Sequence, residues 1–281
     1  MAASGFVREY GDAVLASLRE LSPARSEQEH FDDAVVTAAE TMRPYVRQLD
    51  ELVSSVARFG GRGFDELFSI YEGIGTMMFR SPDMNSWNHY DFDAYKIIAY
   101  EAFLRFIATL LKEKKFDLVA EAVKHPYLLR PDYRSGGSTD DFTEFCTYAE
   151  SLSHRTQRLK LNRYDLQADL MEQSYKTGHP SFDEMMQADF LLLVKTMLSP
   201  DLRWYPRSLI YATDRLRPFE LFARSESRSF FERWAPVILG VNSIADFKTA
   251  LGQSTREVGS WFRRGLPVSY LANLEQLGTK E

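Results

Sequence analysis

The apolar residues between Phe31 and Phe59 follow an unbroken 4-3-4-3 spacing: Phe31, Val35, Ala38, Met42, Tyr45, Leu49, Leu52, Val56 and Phe59. Residues three and four apart stack on one face of an α-helix, so this spacing predicts a single stripe of core positions. At 1.5 Å per residue such a helix runs roughly 43 Å. A stripe that long has to be covered, either by other helices of the same chain or by a second copy of it. Pro44 interrupts the pattern without shifting its phase. Proline removes one backbone hydrogen bond and clashes with the preceding turn. The expectation is one long, proline-kinked helix, or a helix pair, near residues 26–59, with the kinked form favoured by the constant phase.

Most other segments also carry helical spacing. Phe6, Tyr10, Val14, Leu18 and Leu21 make a first helix that Pro23 stops. Leu67, Phe68, Tyr71, Ile74 and Met78 mark another, weakened by Gly73 and Gly75. Ile97, Tyr100, Phe103, Phe106, Ile107, Leu110 and Leu111 give the buried face of a helix that Asp91 or Asp93 can cap. A short helix from Phe116 stops before Pro126. The run Arg130 to Ser138, with its proline and paired glycines, reads as a linker. A new helix is expected to begin at Ser138–Asp141 and to carry Phe142, Phe145, Ala149 and Leu152. Asn162 or Asp165 caps a helix through Tyr175, and Ser181 with Glu184 forms a capping box ahead of Met185 to Leu198. Beyond Pro200, Leu209 to Ala212 reads as a short strand, and Ser243 with Asp246 and Ser254 with Glu257 as two helix starts.

Period-two alternation is absent over any length that could build a sheet. The fold class expected is all-α, an irregular multi-helix bundle. Its domains are expected to be residues 1–130, a linker at 131–138, and residues 139–281, mildly basic beyond 200.

Composition narrows the functional classes. With 44% hydrophobic and 26% charged residues the chain is globular, not disordered. No apolar run approaches the length of a membrane span, and Arg8 and Glu9 argue against a secretory leader. A single cysteine, Cys146, fits a cytoplasmic location. The net charge of −6 disfavours nucleic acid as a partner of the whole chain. From Pro200 onward, 12 basic residues face 9 acidic ones, a local balance of +3 on an acidic body.

Chemical motifs are sparse. The five histidines are scattered, and neither HExxH nor a paired Cys/His spacing occurs. The loop from Asp83 to His89 opens like a calcium loop, but Asn88 stands where glycine is needed and Ala94 where a bidentate glutamate is needed. Phosphate-binding glycine loops and the GxSxG elbow are missing. Neither a catalytic residue, a metal nor a cofactor is expected. Trp87, His89 and Tyr90 mark a place where an inter-helical pocket could form.

Arg203 to Trp234 holds seven arginines and no lysine, interleaved with aromatics. Arginine with aromatic rings suits protein interfaces and stacked bases. Arg217, Arg224 and Arg228, at spacings of seven and four, are expected on one helix face, with Trp234 beside them as a partner-binding residue. Arg25 and His30, separated by Ser-Glu-Gln-Glu, resemble the Arg-x4-His pattern of the HEPN family of helical ribonucleases. That resemblance covers six residues, and it implies RNA cleavage by arginine and histidine of paired protomers.

The leading expectation is a non-enzymatic helical protein that binds another macromolecule, a protein partner or a second copy of itself. The first alternative is a nucleic-acid-binding or RNA-cleaving protein using residues 203–234. The second is a small-molecule enzyme or sensor with a pocket between helices.

Overall fold

A computed structural model describes residues 2–22, 30–81, 84–130, 138–199, 201–213, 215, 217–253 and 265–281. It is all-α, with one small hairpin. The helices of the first half are α1 (Ala2–Glu20), α2 (Phe31–Arg58), α3 (Phe64–Thr76), α4 (Asp93–Lys112) and α5 (Phe116–Lys124). Strands β1 (Tyr127–Arg130) and β2 (Ser138–Asp140) pair antiparallel. Then follow α6 (Glu150–Arg158), α7 (Leu166–Tyr175), α8 (Phe182–Met197), α9 (Glu220–Arg224), α10 (Arg228–Leu239), α11 (Ile244–Gln253) and α12 (Val268–Leu271). Three 3-10 turns lie at His89–Phe92, Phe142–Phe145 and Ser208–Ala212.

The hub is α4. Of its 20 residues only Lys96 and Lys112 escape burial. A helix buried all round must be enclosed by neighbours. Here α2 covers one side, α8 another, and α3 and α5 the rest. Enclosure also traps polar groups that one apolar face would have left in solvent: Asp93, Glu101, Arg105 and Thr109 are all buried.

The long stripe exists as one continuous helix. Pro44 lies inside α2, and both it and Glu40, four residues earlier, are exposed. The carbonyl freed by proline therefore meets water, which removes most of the cost of an interior proline. Six of the nine stripe residues are buried, Phe31 and Tyr45 are partly buried against the core, and Phe59, just past the helix end, is 78% exposed. The cover comes from the same chain, chiefly α4, which leaves no open seam for a second copy. The buried face is also wider than the apolar pattern. A parallel row, Ala39, Arg43, Val46, Asp50, Val53 and Ala57, is buried beside the first and contains two charges.

Those charges are matched from α4. Arg43 makes a two-pronged contact with Glu101, at 2.9 and 2.8 Å, and Glu101 also accepts from the Tyr175 hydroxyl at 2.7 Å. Arg105 pairs with Asp50 and donates to the Pro180 carbonyl at 3.1 Å, its guanidinium lying 4.3 Å from the Tyr175 ring centre. Close approach elsewhere uses small residues. A Cβ on Gly73 of α3 would sit 2.6 Å from a Leu15 methyl on α1, and one on Gly11 of α1 would strike Ile70 of α3. Glycine is thus what lets these two helices meet on both sides of the contact.

Three expectations change. Ser138–Asp141 starts no helix: Ser138–Asp140 pairs with β1, and Phe142 and Phe145 turn into the core, so the chain reaches α6 only at Glu150. Leu209–Ala212 is a 3-10 turn, because Ser208 ahead of it is tied through both its N–H and its hydroxyl to Asp189 of α8, at 3.0 and 2.6 Å. The stretch read as a linker lies outside the described residues except for Ser138, which pairs with β1. Helices on either side of it share one hydrophobic core, with α4 on α8, α5 on α10 and α2 on α6. Residues 26–29 of the expected long helix and the helix start expected at Ser254 with Glu257 lie outside the described residues. Among the described residues no helix is long and apolar enough to cross a membrane.

Candidate functional site

The aromatic rings of residues 203–234 mostly build the core. Trp204, Phe219, Phe222, Phe231 and Trp234 are buried, and the Trp234 indole donates to Ser225 Oγ at 2.9 Å. Trp234 therefore has no surface to offer a partner. The three arginines expected on one helix face stand on separate elements. Arg217 precedes α9, Arg224 ends α9 beside Glu220, and Arg228 opens α10. All three are exposed. Two helices with a break between them replace the single helix that the spacing implied. Arg207 pairs with Asp165 at 2.8 Å, and Arg215 with Asp183.

Other candidates are also accounted for. Cys146 exchanges hydrogen bonds with the backbone of Tyr205, its sulfur accepting from the N–H at 3.1 Å. Although the residue is part-exposed, enclosure of the sulfur pushes the thiol up to about 12, which leaves no thiolate for chemistry. Asp91 closes a capping box with Asn88, and Asp93 accepts from Ser151 N–H at the start of α6 and from Lys96, both at 2.7 Å. These carboxylates hold backbone, and among the described residues no three His, Cys, Asp or Glu side chains converge as metal ligands would. Asp83 and Arg25 lie outside the described residues, while His30 sits exposed ahead of α2. Trp87 is 47% exposed with the Arg80 guanidinium 5.8 Å from its ring centre. The His89 side chain is outside the described set. Of the expected pocket residues, Tyr90 does line a cleft.

That cleft, about 420 Å³, lies where the start of α2 meets α6. Phe31 and Asp32 come from the first turn of α2, Tyr90 from the 3-10 turn before α4, and Ser151, His154, Gln157 and Arg158 from α6. Ser151, His154 and Arg158, at i, i+3 and i+7, fall on one helical face, which is why a single short helix supplies a whole wall. Phe31 and Tyr90 rings lie 6.5 Å apart, and Tyr90 meets His154 edge-on at 5.1 Å. Tyr90 Oη and His154 Nε2 are 2.7 Å apart, within hydrogen-bond distance.

Charge is concentrated at the back of the cleft and cancels there. Arg158 Nη2 holds Asp32 at 2.6 Å and Asp33 at 2.7 Å. Arg155 pairs with Asp33 and reaches Asp32 at 3.6 Å. Both helix dipoles favour this arrangement, with acids at the N-terminus of α2 and bases at the C-terminus of α6. One group in the wall has no partner. Ser151 is only 2% exposed, and its hydroxyl makes no hydrogen bond among the described residues. Ser151 and His154 are therefore not coupled as nucleophile and base.

Sequence reasoning finds Tyr90 but misses the α6 wall. The face shared by Ser151, His154 and Arg158 follows from their spacing alone, but nothing local shows that the start of α2 packs against it. A larger cleft, about 1030 Å³, opens beside Arg19, Arg80 and Arg130. Arg130 there is already paired with Asp140 at 2.7 Å. No family model, no curated protein and no solved structure matches the chain.

Proposed function

We propose that this protein binds a small organic molecule in the cleft between α2 and α6, acting as a binding protein or sensor rather than through a covalent intermediate. The observation that carries this reading is the cleft itself, walled by the Phe31 and Tyr90 rings and by one face of α6. The cleft volume falls within the range of small-molecule sites, at its lower end. The aromatic walls and few polar groups match the usual make-up of such sites. Macromolecular contact has less support, since α4 covers the α2 stripe and the large rings of 203–234 belong mainly to the core.

Ligand-observed NMR with a library of ring-containing fragments tests the reading on the full chain. Fragments should bind the wild type and be displaced from Ser151→Phe, which fills the cleft. Gln157→Trp, at an exposed rim position, gives the same test without a core substitution. Fragment binding that neither variant disturbs, or no binding at all, would overturn it.

A further inference from the structure

We propose that the larger cleft, about 1030 Å³, is a second binding site, and that it takes an aliphatic chain with a carboxylate head. It forms where the C-terminal ends of α1 and α3 meet the start of α4 and strand β1. Much of its lining is apolar: Leu129, Phe92 and Tyr95 are buried, Met77 and Phe79 are partly so, and Met84 is exposed. Methionine side chains are flexible and polarisable, so they adapt to an alkyl chain as rigid branched residues do not. The volume reaches the upper end of the range for small-molecule sites, enough for an extended occupant.

Around this lining the acceptors are taken and strong donors are left over. The Tyr95 hydroxyl donates to the Leu18 and Arg19 carbonyls at the end of α1, at 3.3 and 3.2 Å. At the end of α3, the carbonyls of Ile74, Gly75 and Thr76 accept from the N–H groups of Met77, Met78 and Phe79. The Asp91 carboxylate accepts from Asn88 N–H at 2.8 Å. Arg130 is matched by Asp140 and Glu144, with its guanidinium 4.5 Å from the Phe79 ring centre. Arg19 and Arg80 have no acidic partner among the described residues. Arg80 is nevertheless held in place. Its Nε donates to the Met84 carbonyl at 3.1 Å, and its guanidinium stands 5.8 Å from the Trp87 ring centre. Both terminal nitrogens of that positioned guanidinium remain, and they match the two oxygens of a carboxylate. A cationic head would instead find the acids already holding an N–H group or Arg130.

Isothermal titration of the full chain with decanoate, octanoate and decylammonium at pH 7, each below its micelle-forming concentration, tests the proposal. Decanoate should bind at least about ten-fold more tightly than decylammonium, and more weakly as salt is raised. Octanoate, two methylenes shorter, should bind about ten-fold more weakly than decanoate if the chain is buried. Arg80→Gln and Arg19→Gln, both at exposed positions, should each weaken decanoate about five- to ten-fold without weakening decylammonium. Gln157→Trp, which blocks the α2–α6 cleft, should leave decanoate affinity as it is. No decanoate binding, decylammonium binding as tightly, equal affinity for the two chain lengths, or indifference to both arginine variants would each overturn the proposal. Loss of decanoate binding in Gln157→Trp would put the chain in the other cleft and overturn it as well. The fragment test of the α2–α6 cleft can succeed or fail independently of these results.

Discussion

Asp189 shows how a single side chain can fix backbone that local pattern misreads. Fully buried on α8, it accepts from Tyr100 at 2.8 Å, from the Trp204 indole at 2.6 Å, and from Ser208 twice. Burial raises its carboxyl from the ordinary 3.8 to about 6, against those hydrogen bonds. Burial does the same to Asp50, to about 6, against the pull of Arg105. The folded state thus holds both protons more tightly than the unfolded chain. Their stabilising contribution is complete below about 3.8 and is lost as pH rises through about 6. Urea midpoints should therefore be higher at pH 5 than at pH 7.5, by about 1 kcal/mol for each group. Glu113, lowered from 4.5 by its hydrogen bonds from Arg58, loses its contribution only in stronger acid. A lower midpoint at pH 5 would contradict this account. Asp189→Asn should remove half of the pH effect. It should also cost roughly 2–3 kcal/mol at neutral pH, because an amide nitrogen would face donors.

Elements depend on pairs like these. Between α2 and α4 lie two buried ion pairs, Arg43 with Glu101 and Arg105 with Asp50, and they set how the helices register. Glu101→Leu leaves Arg43 uncompensated and the Tyr175 hydroxyl without its acceptor, and should cost roughly 3–5 kcal/mol in chemical denaturation. Adding Arg43→Met should restore part of that loss, since an apolar pair carries no desolvation penalty. A double variant no more stable than the single one would show that the pair is not what Glu101 serves. Leu49, 1% exposed on the same face, gives a second check. Leu49→Asp should cost several kcal/mol while leaving the oligomeric state unchanged, because the stripe is covered from within. A shift in sedimentation without loss of stability would point instead to an interface between copies.

At the scale of the molecule, the core shared by helices on either side of the β1–β2 pair matters most. Tyr100 and Phe103 of α4 stack against Trp204 and Phe145, at 5.7 and 4.6 Å, and both partners come after the hairpin. A fragment of residues 1–130 would expose those rings and the α4 face that α8 covers. It should lack near-ultraviolet dichroism and a cooperative melt, whereas the full chain should unfold in one transition. A fragment that melts cooperatively would restore two separable domains.

Local sequence determined the helices that carry their own signals. The 4-3 stripe marked α2, the Ser181–Glu184 box marked the start of α8, and Asp165 marked that of α7, because caps and periodicity act between residues a few positions apart. Tertiary structure alone decided the rest. Whether a polar residue on a helix is buried depends on how many neighbours enclose it, so Arg43, Asp50, Glu101 and Arg105 read as surface until α4 is seen surrounded. The cleft follows the same rule. Tyr90 was visible in its loop, but Phe31, Asp32 and Ser151 lie far apart along the chain and gain a common role only where α2 and α6 pack together.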